Sequence, residues 1–284
     1  MLIDGKKIAA DLGVELADRV ATLRAAGVAP TLAIVVATDD ASTAWYVRSL
    51  QRTAAGLGIE IRKTELALDA GRDEIRRALT AASADPAVHG VICQTPLPGG
   101  LRLVDVGDAI DPEVDVDGAS PVSLGRLASG SATAFAPATA AAVLKILEHE
   151  GVPLKGRRAV VIGRSNVVGK PAALMLLDQH ATVTVCHSRT VDLPSEVRRA
   201  DVLVAAVGRP KLVTSDYVKP GAVVIDVGTN PTPEGGLVGD VDTAGVEPLA
   251  AAVTPVPGGV GPVTTMVLMG HVVTATERRV AGVR

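Results

Sequence analysis

Short aliphatic runs alternate with longer amphipathic segments along most of the chain. The runs have the length and the Val/Ile content of buried strands, and the longer segments carry apolar residues at helical spacing. The predicted strands span 31–37, 89–94, 157–163, 181–188, 201–208 and 222–228. The predicted helices span 5–26, 40–57, 72–84, 138–150, 169–180 and 264–279. This alternation predicts an α/β fold with parallel sheets covered on both sides.

The strands are interrupted in the middle of the chain. A Gly/Ser/Ala-rich stretch, SGSATAFAPATAAA, and the helix 138–150 precede the next regular strand at 157. A chain of 284 residues is long enough for two domains of ordinary size. We therefore predict two α/β units with their boundary in this stretch.

Composition narrows the class of protein. Hydrophobic residues make up 48% and charged residues 21%, as in a globular protein, and the net charge of −3 with 1% aromatics disfavours a nucleic-acid partner. No apolar run is long enough to span a membrane, and charges interrupt the N-terminal MLIDGKKIAADL where a signal peptide needs apolar residues. Two cysteines provide no disulfide framework. We expect a cytoplasmic protein.

The segment RRAVVIGRSNVVGKPAALML reads as a strand, a glycine-containing turn and a helix. The free amides and the dipole of such a helix start favour a pyrophosphate. The next strand ends in VCHSRT. An NAD site usually has an acidic residue there for the ribose 2′-hydroxyl. This chain instead has Ser188 and Arg189 there, and Arg164 on the first turn. These side chains suit a 2′-phosphate and hence NADP. The alternative is a structural turn with solvated arginines.

A second polar group follows the strand 89–94. Gln94 emerges at the carboxyl end of this strand, where open α/β sheets bind ligands. Asp115 and Asp117 share one side if DPEVDVDG is extended, and such a pair of carboxylates could hold Mg²⁺. No third oxygen ligand accompanies them, however, and the histidines of the chain lack metal-ligand spacing. We therefore expect no metal, and favour Asp117 as a hydrogen-bond acceptor for a heterocycle. Loop capping is the alternative for each of these residues.

Taken together, these stretches resemble the FolD family, the bifunctional methylenetetrahydrofolate dehydrogenase/methenyltetrahydrofolate cyclohydrolases. The resemblance covers essentially the whole chain. Its most specific parts are GRSNVVGKP, CHSRT, GAVVIDVGTN, GDVD and TPVPGGVGPVT. The resemblance implies a folate domain, residues 1–139 plus 264–284, and a Rossmann-type NADP-binding domain, residues 140–263, facing each other across a cleft. The last helix returns to the folate domain, and family members are typically homodimers joined through the NADP domain.

The resemblance also implies roles for individual residues. Tyr46 matches the tyrosine on which the pterin stacks, Gln94 a pocket glutamine, and Asp117 the aspartate bonded to the pterin. The cofactor site would be formed by Gly163, Arg164, Ser165, Ser188 and Thr229. The substrate pocket would be closed by Pro257, Gly258 and Gly259.

Departures from the family pattern all lie on the folate side. Family members carry Y-V-x-x-K-x-K, whereas here Tyr46-Val47 is followed by Leu50 and Arg52, so Leu50 stands at the position of the catalytic lysine. Val114 replaces a lysine, the usual P-C-T-P-x-G has become PATAAA, and Gly270-His271 stands where Asn-Thr is common. On a helix, Tyr46 and Leu50 share one face, while Arg48 and Arg52 point elsewhere.

These departures bear differently on the family's two reactions. Hydride transfer to the nicotinamide needs mainly alignment, whereas cyclohydrolysis needs a positioned proton carrier, which leucine cannot be. We therefore expect an NADP-dependent methylenetetrahydrofolate dehydrogenase with weak or absent cyclohydrolase activity. One alternative is a paralogue that oxidises a different pterin or iminium-type substrate. Another is a non-catalytic NADP/folate-binding regulator.

Overall fold

The computed structural model describes residues 1–282, and by packing these fall into two compact α/β units. The three-stranded unit comprises Asp11–Ala138 and the chain from Thr265 on. The five-stranded unit comprises Met1–Ala10 and Thr139–Thr264. No helix of the described chain is long and apolar enough to cross a membrane.

The elements confirm the alternation predicted from the sequence. The strands are β1 (Thr31–Val36), β2 (Glu60–Glu65), β3 (Gly90–Cys93), β4 (Arg158–Ile162), β5 (Thr182–Cys186), β6 (Val202–Ala205), β7 (Val223–Asp226), β8 (Asn230–Pro231), β9 (Leu237–Val238) and β10 (Ala252–Val253). The helices are α1 (Gly5–Ala25), α2 (Ala41–Leu57), α3 (Arg72–Ala84), α4 (Leu103–Val106), α5 (Pro121–Ala128), α6 (Ala138–His149), α7 (Gly169–Asp178), α8 (Leu193–Val197), α9 (Thr243–Val246) and α10 (Val260–Val280).

The three-stranded unit is built on a parallel sheet in the order β2-β1-β3. The central strand β1 is almost entirely buried, whereas β2 is an edge strand with the sequence EIRKTE and mostly exposed side chains. Sequence reading by apolar runs missed β2, because a charged edge strand lacks the aliphatic pattern of a buried one. The order reverses between β1 and β3, so the carboxyl ends of these two strands form the ligand-binding edge typical of open α/β sheets.

The five-stranded unit has a parallel sheet in the order β10-β7-β6-β4-β5. Its core strands are buried on both faces, which explains their uninterrupted aliphatic sequences. The strand order reverses between β4 and β6. The turns that follow the parallel strands, including Gly163–Ser165 and His187–Arg189, therefore share the carboxyl edge of this sheet.

The observed division differs from the predicted boundaries at the start of the chain. Residues 1–10, predicted within the folate domain, lie in the five-stranded unit. Val253 of β10 donates its N–H to the Met1 carbonyl and accepts the Ile3 N–H on its own carbonyl, each at 2.9 Å. These backbone hydrogen bonds add the N-terminal segment to the edge of the sheet beside β10. Helix α10 begins at Val260, four residues before its predicted start, because Pro262 is tolerated in a first helical turn.

Candidate active site

Helix α2 is fixed at its start to the loop that follows β3. Asp40 caps the helix by accepting the Thr43 N–H at 2.8 Å. The Thr43 hydroxyl lies 3.0 Å from both Asp40 Oδ2 and the Thr95 carbonyl. Gln94, the residue before Thr95, continues the sheet ladder by donating its N–H to the Val35 carbonyl at 2.9 Å. The start of α2 and the carboxyl end of β3 are therefore held together at the switch point of this sheet.

Tyr46 and Leu50 lie one turn apart on the inward side of α2. Tyr46 is partly buried against the apolar cluster to which Leu50 belongs, and Leu50 is 0% exposed. The same cluster contains Val116 and Ala138. The charged positions of α2 that flank Leu50, Arg48 and Arg52, are exposed. No ionisable side chain of α2 therefore occupies the place one turn beyond Tyr46.

Asp117 lies close enough to Tyr46 for their electrostatic coupling to matter. Burial first, and then the charge of Asp117, raises the pKa of the Tyr46 phenol above its ordinary value. Burial and the neighbouring Asp115 raise the pKa of the Asp117 carboxyl to about 7, against a smaller opposing effect of the Ala138 N–H. Near neutral pH, Asp117 can therefore accept hydrogen bonds as a carboxylate or donate one as a carboxylic acid.

Asp115 has a different part in the same loop. It is fully buried, and its carboxylate accepts the Ser120 N–H at 3.0 Å and the Ser123 hydroxyl at 2.6 Å. These bonds hold the start of α5. For Asp115 the loop-capping alternative is the observed one, and no group of three potential metal ligands exists among residues 1–282.

In the five-stranded unit, the turn after β4 requires glycine at two positions. Gly163 has φ 124°, and a Cβ there would lie 2.1 Å from the Ala206 carbonyl oxygen after β6. A Cβ at Gly169, the first residue of α7, would lie 2.2 Å from the Gly163 carbonyl oxygen. The backbone of this turn therefore passes directly over the switch point between β4 and β6, with the start of α7 against it.

The polar side chains of the predicted cofactor site surround that turn. The Ser165 hydroxyl accepts the Val168 N–H at 3.1 Å, which orders the turn and leaves its own proton available as a donor. Arg164 is exposed on the same turn, and Ser188 is exposed after β5, the strand next to β4. Both follow the carboxyl ends of adjacent parallel strands.

Two buried aspartates, which the sequence analysis did not single out, order the remaining loops at this edge. Asp226, at the end of β7, accepts the N–H groups of Gly228, Asp240 and Val241, each at 2.9 Å. Asp240 accepts the N–H groups of three consecutive residues after β6, 207–209, at 2.6 to 3.0 Å. Burial raises the pKa of Asp226 to about 6. The signal that could have found them was the pair of DVG and GDVD motifs.

Thr229 is exposed between two residues that this aspartate network fixes. A Cβ at Gly228 would lie 2.4 Å from Asp240 Cγ, and the Asn230 side-chain amide donates to Asp240 Oδ1 at 3.0 Å. The network leaves Thr229 at the carboxyl end of β7 with its side chain available.

The predicted pocket-closing residues follow β10. Pro257 is exposed after a cis peptide bond, Gly258 has φ 103°, and Gly259 is buried. A Cβ at Gly5 would lie 1.8 Å from the Gly259 carbonyl oxygen, so the start of α1 packs directly on this turn. Pro257–Gly259 therefore belong to the same carboxyl edge as Thr229.

Comparisons with known proteins identify the family of the chain. Residues 3–117 match the catalytic-domain model of tetrahydrofolate dehydrogenase/cyclohydrolase, and residues 137–280 match its NAD(P)-binding domain. Bifunctional protein FolD 1 of Saccharopolyspora erythraea is 56% identical over 276 residues, covering 97% of this chain and 94% of that protein.

Two solved structures extend the comparison to the fold. The bifunctional enzyme FolD from Campylobacter jejuni has a TM-score of 0.95 at 36% identity, covering 98% of this chain and 99% of that one. Trypanosoma brucei FolD, complexed with NADP and an inhibitor, has a TM-score of 0.93 at 37% identity, covering 99% and 98%. The chain therefore belongs to the tetrahydrofolate dehydrogenase/cyclohydrolase family, of which the FolD proteins are members.

Proposed function

We propose that this protein is an NADP-dependent 5,10-methylenetetrahydrofolate dehydrogenase whose methenyltetrahydrofolate cyclohydrolase activity is weak or lost. The loss of cyclohydrolase activity is inferred from Leu50, which is apolar, fully buried and one turn beyond Tyr46. The dehydrogenase activity is supported by the match of both domains of the chain to the family models.

The five-stranded unit fits a dinucleotide by its backbone. Gly163 admits no side chain, so a phosphate can approach the amides of the turn and the start of α7. Arg164 and Ser188 bind the 2′-phosphate in this proposal, Ser165 donates to a phosphate, and Thr229 contacts the cofactor from the end of β7. NADP supplies the hydride acceptor when it is bound.

The three-stranded unit orients the folate. In this proposal the pterin stacks on Tyr46, and Gln94 and Asp117 bond its polar edge. A pKa of about 7 allows Asp117 to meet either a donor or an acceptor on the heterocycle. Alignment of the one-carbon bridge with the hydride acceptor is the main requirement of dehydrogenation, and position 50 supplies none of the groups that bind the folate.

Cyclohydrolysis has a further requirement that the position of Leu50 does not meet. Water addition and ring opening need a group that accepts and returns protons near the methenyl carbon. A leucine has no such group, and the side chains of Arg48 and Arg52 are exposed on other faces of α2. Loss of one acid–base group commonly costs about 10²–10⁴-fold in rate.

The decisive experiment separates formation of the methenyl product from its hydrolysis. Purified protein is given methylenetetrahydrofolate with NADP⁺ or NAD⁺, and methenyl absorbance and NADPH are followed; a second assay follows decay of added methenyltetrahydrofolate. We expect NADP⁺-dependent methenyl accumulation and hydrolysis at least about 100-fold slower than formation. Equal rates of formation and hydrolysis would refute the loss of cyclohydrolase activity.

Other outcomes identify the alternatives. Turnover of a different reduced pterin or cyclic iminium, without turnover of methylenetetrahydrofolate, would identify a paralogue of altered specificity. Thermal stabilisation by NADP and folate without any turnover would identify a non-catalytic binding protein. Light scattering of the same sample measures the oligomeric state, for which we propose a homodimer.

A further inference from the structure

A cavity of about 380 Å³ lies at the amino edge of the three-stranded sheet. Its lining includes the first residues of β1 and β2, the loop that precedes β3 and the last turn of α10. The predicted folate residue Gln94 follows the opposite, carboxyl end of β3. The strands β1 and β2 have six residues each, so about 20 Å of sheet separates the two edges. The cavity is therefore distinct from the predicted folate site.

The walls of this cavity combine apolar and polar side chains. Val28, Pro86, Ala87 and Val280 contribute apolar surface. The volume falls within the range of small-molecule sites, about 300–1,000 Å³, which are typically apolar with a few placed polar groups. The cavity thus has the size and the walls of a site for a small organic molecule.

His89 provides a hydrogen-bond donor at the cavity. The residue is 6% exposed, and its Nδ1 accepts the Thr31 N–H at 3.2 Å. Burial, and then the charges of Arg279 and Arg62, lower the pKa of His89, so the imidazole is neutral near pH 7 and carries its proton on Nε2. This N–H has no acceptor among residues 1–282, yet no buried side-chain nitrogen described there lacks a partner. Nε2 therefore keeps accessible surface on a residue that lines the cavity.

Two of the charged residues that line the cavity face an opposite charge. Arg62 forms an ion pair with Asp85 at 2.7 Å, and Glu60 lies 3.7 Å from Arg24. These two pairs leave no net charge at the cavity.

Arg279 has no such partner in the described part of the chain. Its Nη1 donates to the carbonyls of Pro86 and Val88 at 3.0 and 2.5 Å, and no carboxylate of residues 1–282 pairs with it. These bonds hold the guanidinium beside His89, the residue after Val88, and leave its Nε and Nη2 donors unused. The cavity therefore carries one uncompensated positive charge next to a neutral N–H donor.

We propose that this cavity binds a small organic monocarboxylate, whose oxygens accept hydrogen bonds from Arg279 and from Nε2 of His89. One unpaired cation matches one negative charge, and the planar guanidinium matches a planar carboxylate. The apolar walls pack on the body of the ligand. The site requires neither folate nor NADP, so the proposal is independent of the proposed function.

The test uses benzoate, which joins one carboxylate to a compact apolar ring. Benzoate is titrated calorimetrically into the full chain, beside benzamide, which has the same shape without the charge, and inorganic phosphate, which has no apolar body. We expect saturable binding of benzoate at one site. Benzamide and phosphate should bind at least about tenfold more weakly, because each loses either the charge-assisted hydrogen bonds or the apolar contact.

Three variants locate the bound benzoate. Arg279→Gln removes the unpaired charge from an exposed position on the last turn of α10, and should weaken binding by about tenfold or more. Ala87→Trp fills the cavity from an exposed position and should abolish binding without changing any charge. The matched control is Arg278→Gln, one residue earlier, where the guanidinium donates to the Thr133 carbonyl at 2.8 Å and does not line the cavity. It should bind benzoate as the wild type does.

Several outcomes would overturn the proposal. These are the absence of saturable benzoate binding, equal binding by the wild type and Arg279→Gln, and equal weakening in Arg278→Gln and Arg279→Gln. Binding that persists in Arg279→Gln and is lost in Tyr46→Ala would place benzoate in the predicted folate pocket instead, and would also overturn it.

The wild type decides alone if a cavity variant does not fold. Saturating benzoate should shift the nuclear magnetic resonance signal of the His89 Nε2–H, one of five histidine side chains, assigned with His89→Asn. An unshifted His89 signal at saturation would exclude this cavity as the site.

Discussion

Asp226 occupies the space where a side chain at Gly239 would begin. A Cβ at position 239 would lie 1.8 Å from Asp226 Oδ2, and the same carboxylate accepts the N–H groups that follow in the GDVD segment. The close approach explains why a glycine precedes Asp240. It also makes the loops at the carboxyl edge of the five-stranded sheet depend on one buried carboxylate.

Gly239→Ala should therefore destabilise the five-stranded unit. The added methyl must displace Asp226 and break some of its hydrogen bonds, at a cost of about 2–4 kcal/mol in the free energy of unfolding. Denaturant unfolding measures the change. Gly261→Ala, in the first turn of α10 with no atom within 4 Å of its Cβ, is the matched control and should be nearly neutral. Equal stability of the two variants would contradict this account.

Arg164→Ala and Ser188→Ala should each reduce selectivity for NADP⁺ over NAD⁺. If these side chains bind the 2′-phosphate, each loss removes a charge-assisted hydrogen bond and lowers kcat/KM for NADP⁺ by about 10–100-fold, with little effect for NAD⁺. Steady-state kinetics with both cofactors provide the measurement. Arg157→Ala, exposed just before β4 at the opposite edge of the sheet, is the control. An equal loss of kcat/KM with NADP⁺ and NAD⁺ would show that these residues do not bind the 2′-phosphate.

Asp117 should make the protein less stable as the pH rises. Its pKa of about 7 in the fold exceeds the ordinary value of 3.8. Its contribution to stability is therefore fully present below pH 4 and is lost as the pH rises through about 7. Asp226, with a pKa of about 6, acts in the same direction.

Asp117→Asn cannot ionise, so it should lose part of this pH dependence. Between pH 5 and pH 8 we expect the fall in stability to be smaller than in the wild type by about 1–2 kcal/mol, which thermal unfolding at several pH values would detect. Ser120→Ala, in the same loop, should keep the wild-type slope because it removes no ionisable group. A slope unchanged in Asp117→Asn would show that the carboxyl is ionised throughout this range.

Leu50→Lys should restore cyclohydrolase activity if the rest of the pocket is intact. The lysine replaces a 0% exposed leucine, so burial should lower its pKa toward neutrality and reduce thermal stability by several degrees. We expect hydrolysis of methenyltetrahydrofolate to increase by at least about tenfold. Leu50→Met is the control, since it keeps volume and adds no proton carrier. No gain from the lysine would mean that Val114 and the PATAAA segment have changed the pocket further.

The sequence determined the elements whose local pattern agrees with their tertiary environment. Buried parallel strands such as β4 and β6 are aliphatic throughout, and α2 carries its cap, Asp40, in the sequence, so both could be predicted. The strand β2 could not, because its stability comes from pairing with β1 rather than from its own apolar content. The motif residues of the candidate site could be named, but not the carboxylates that hold their loops.

The sequence by itself therefore determined the family, the two α/β units and the presence of leucine at position 50. Only the tertiary structure decided that residues 1–10 pack beside β10, that Asp115 is used within its loop, and that Nδ1 of His271 lies 2.7 Å from the Val116 carbonyl oxygen. The physical reason is the same in each case. Local pattern records which side chains must be buried, whereas hydrogen-bond partners and pKa shifts depend on residues far apart in the chain that folding brings within a few ångströms of one another.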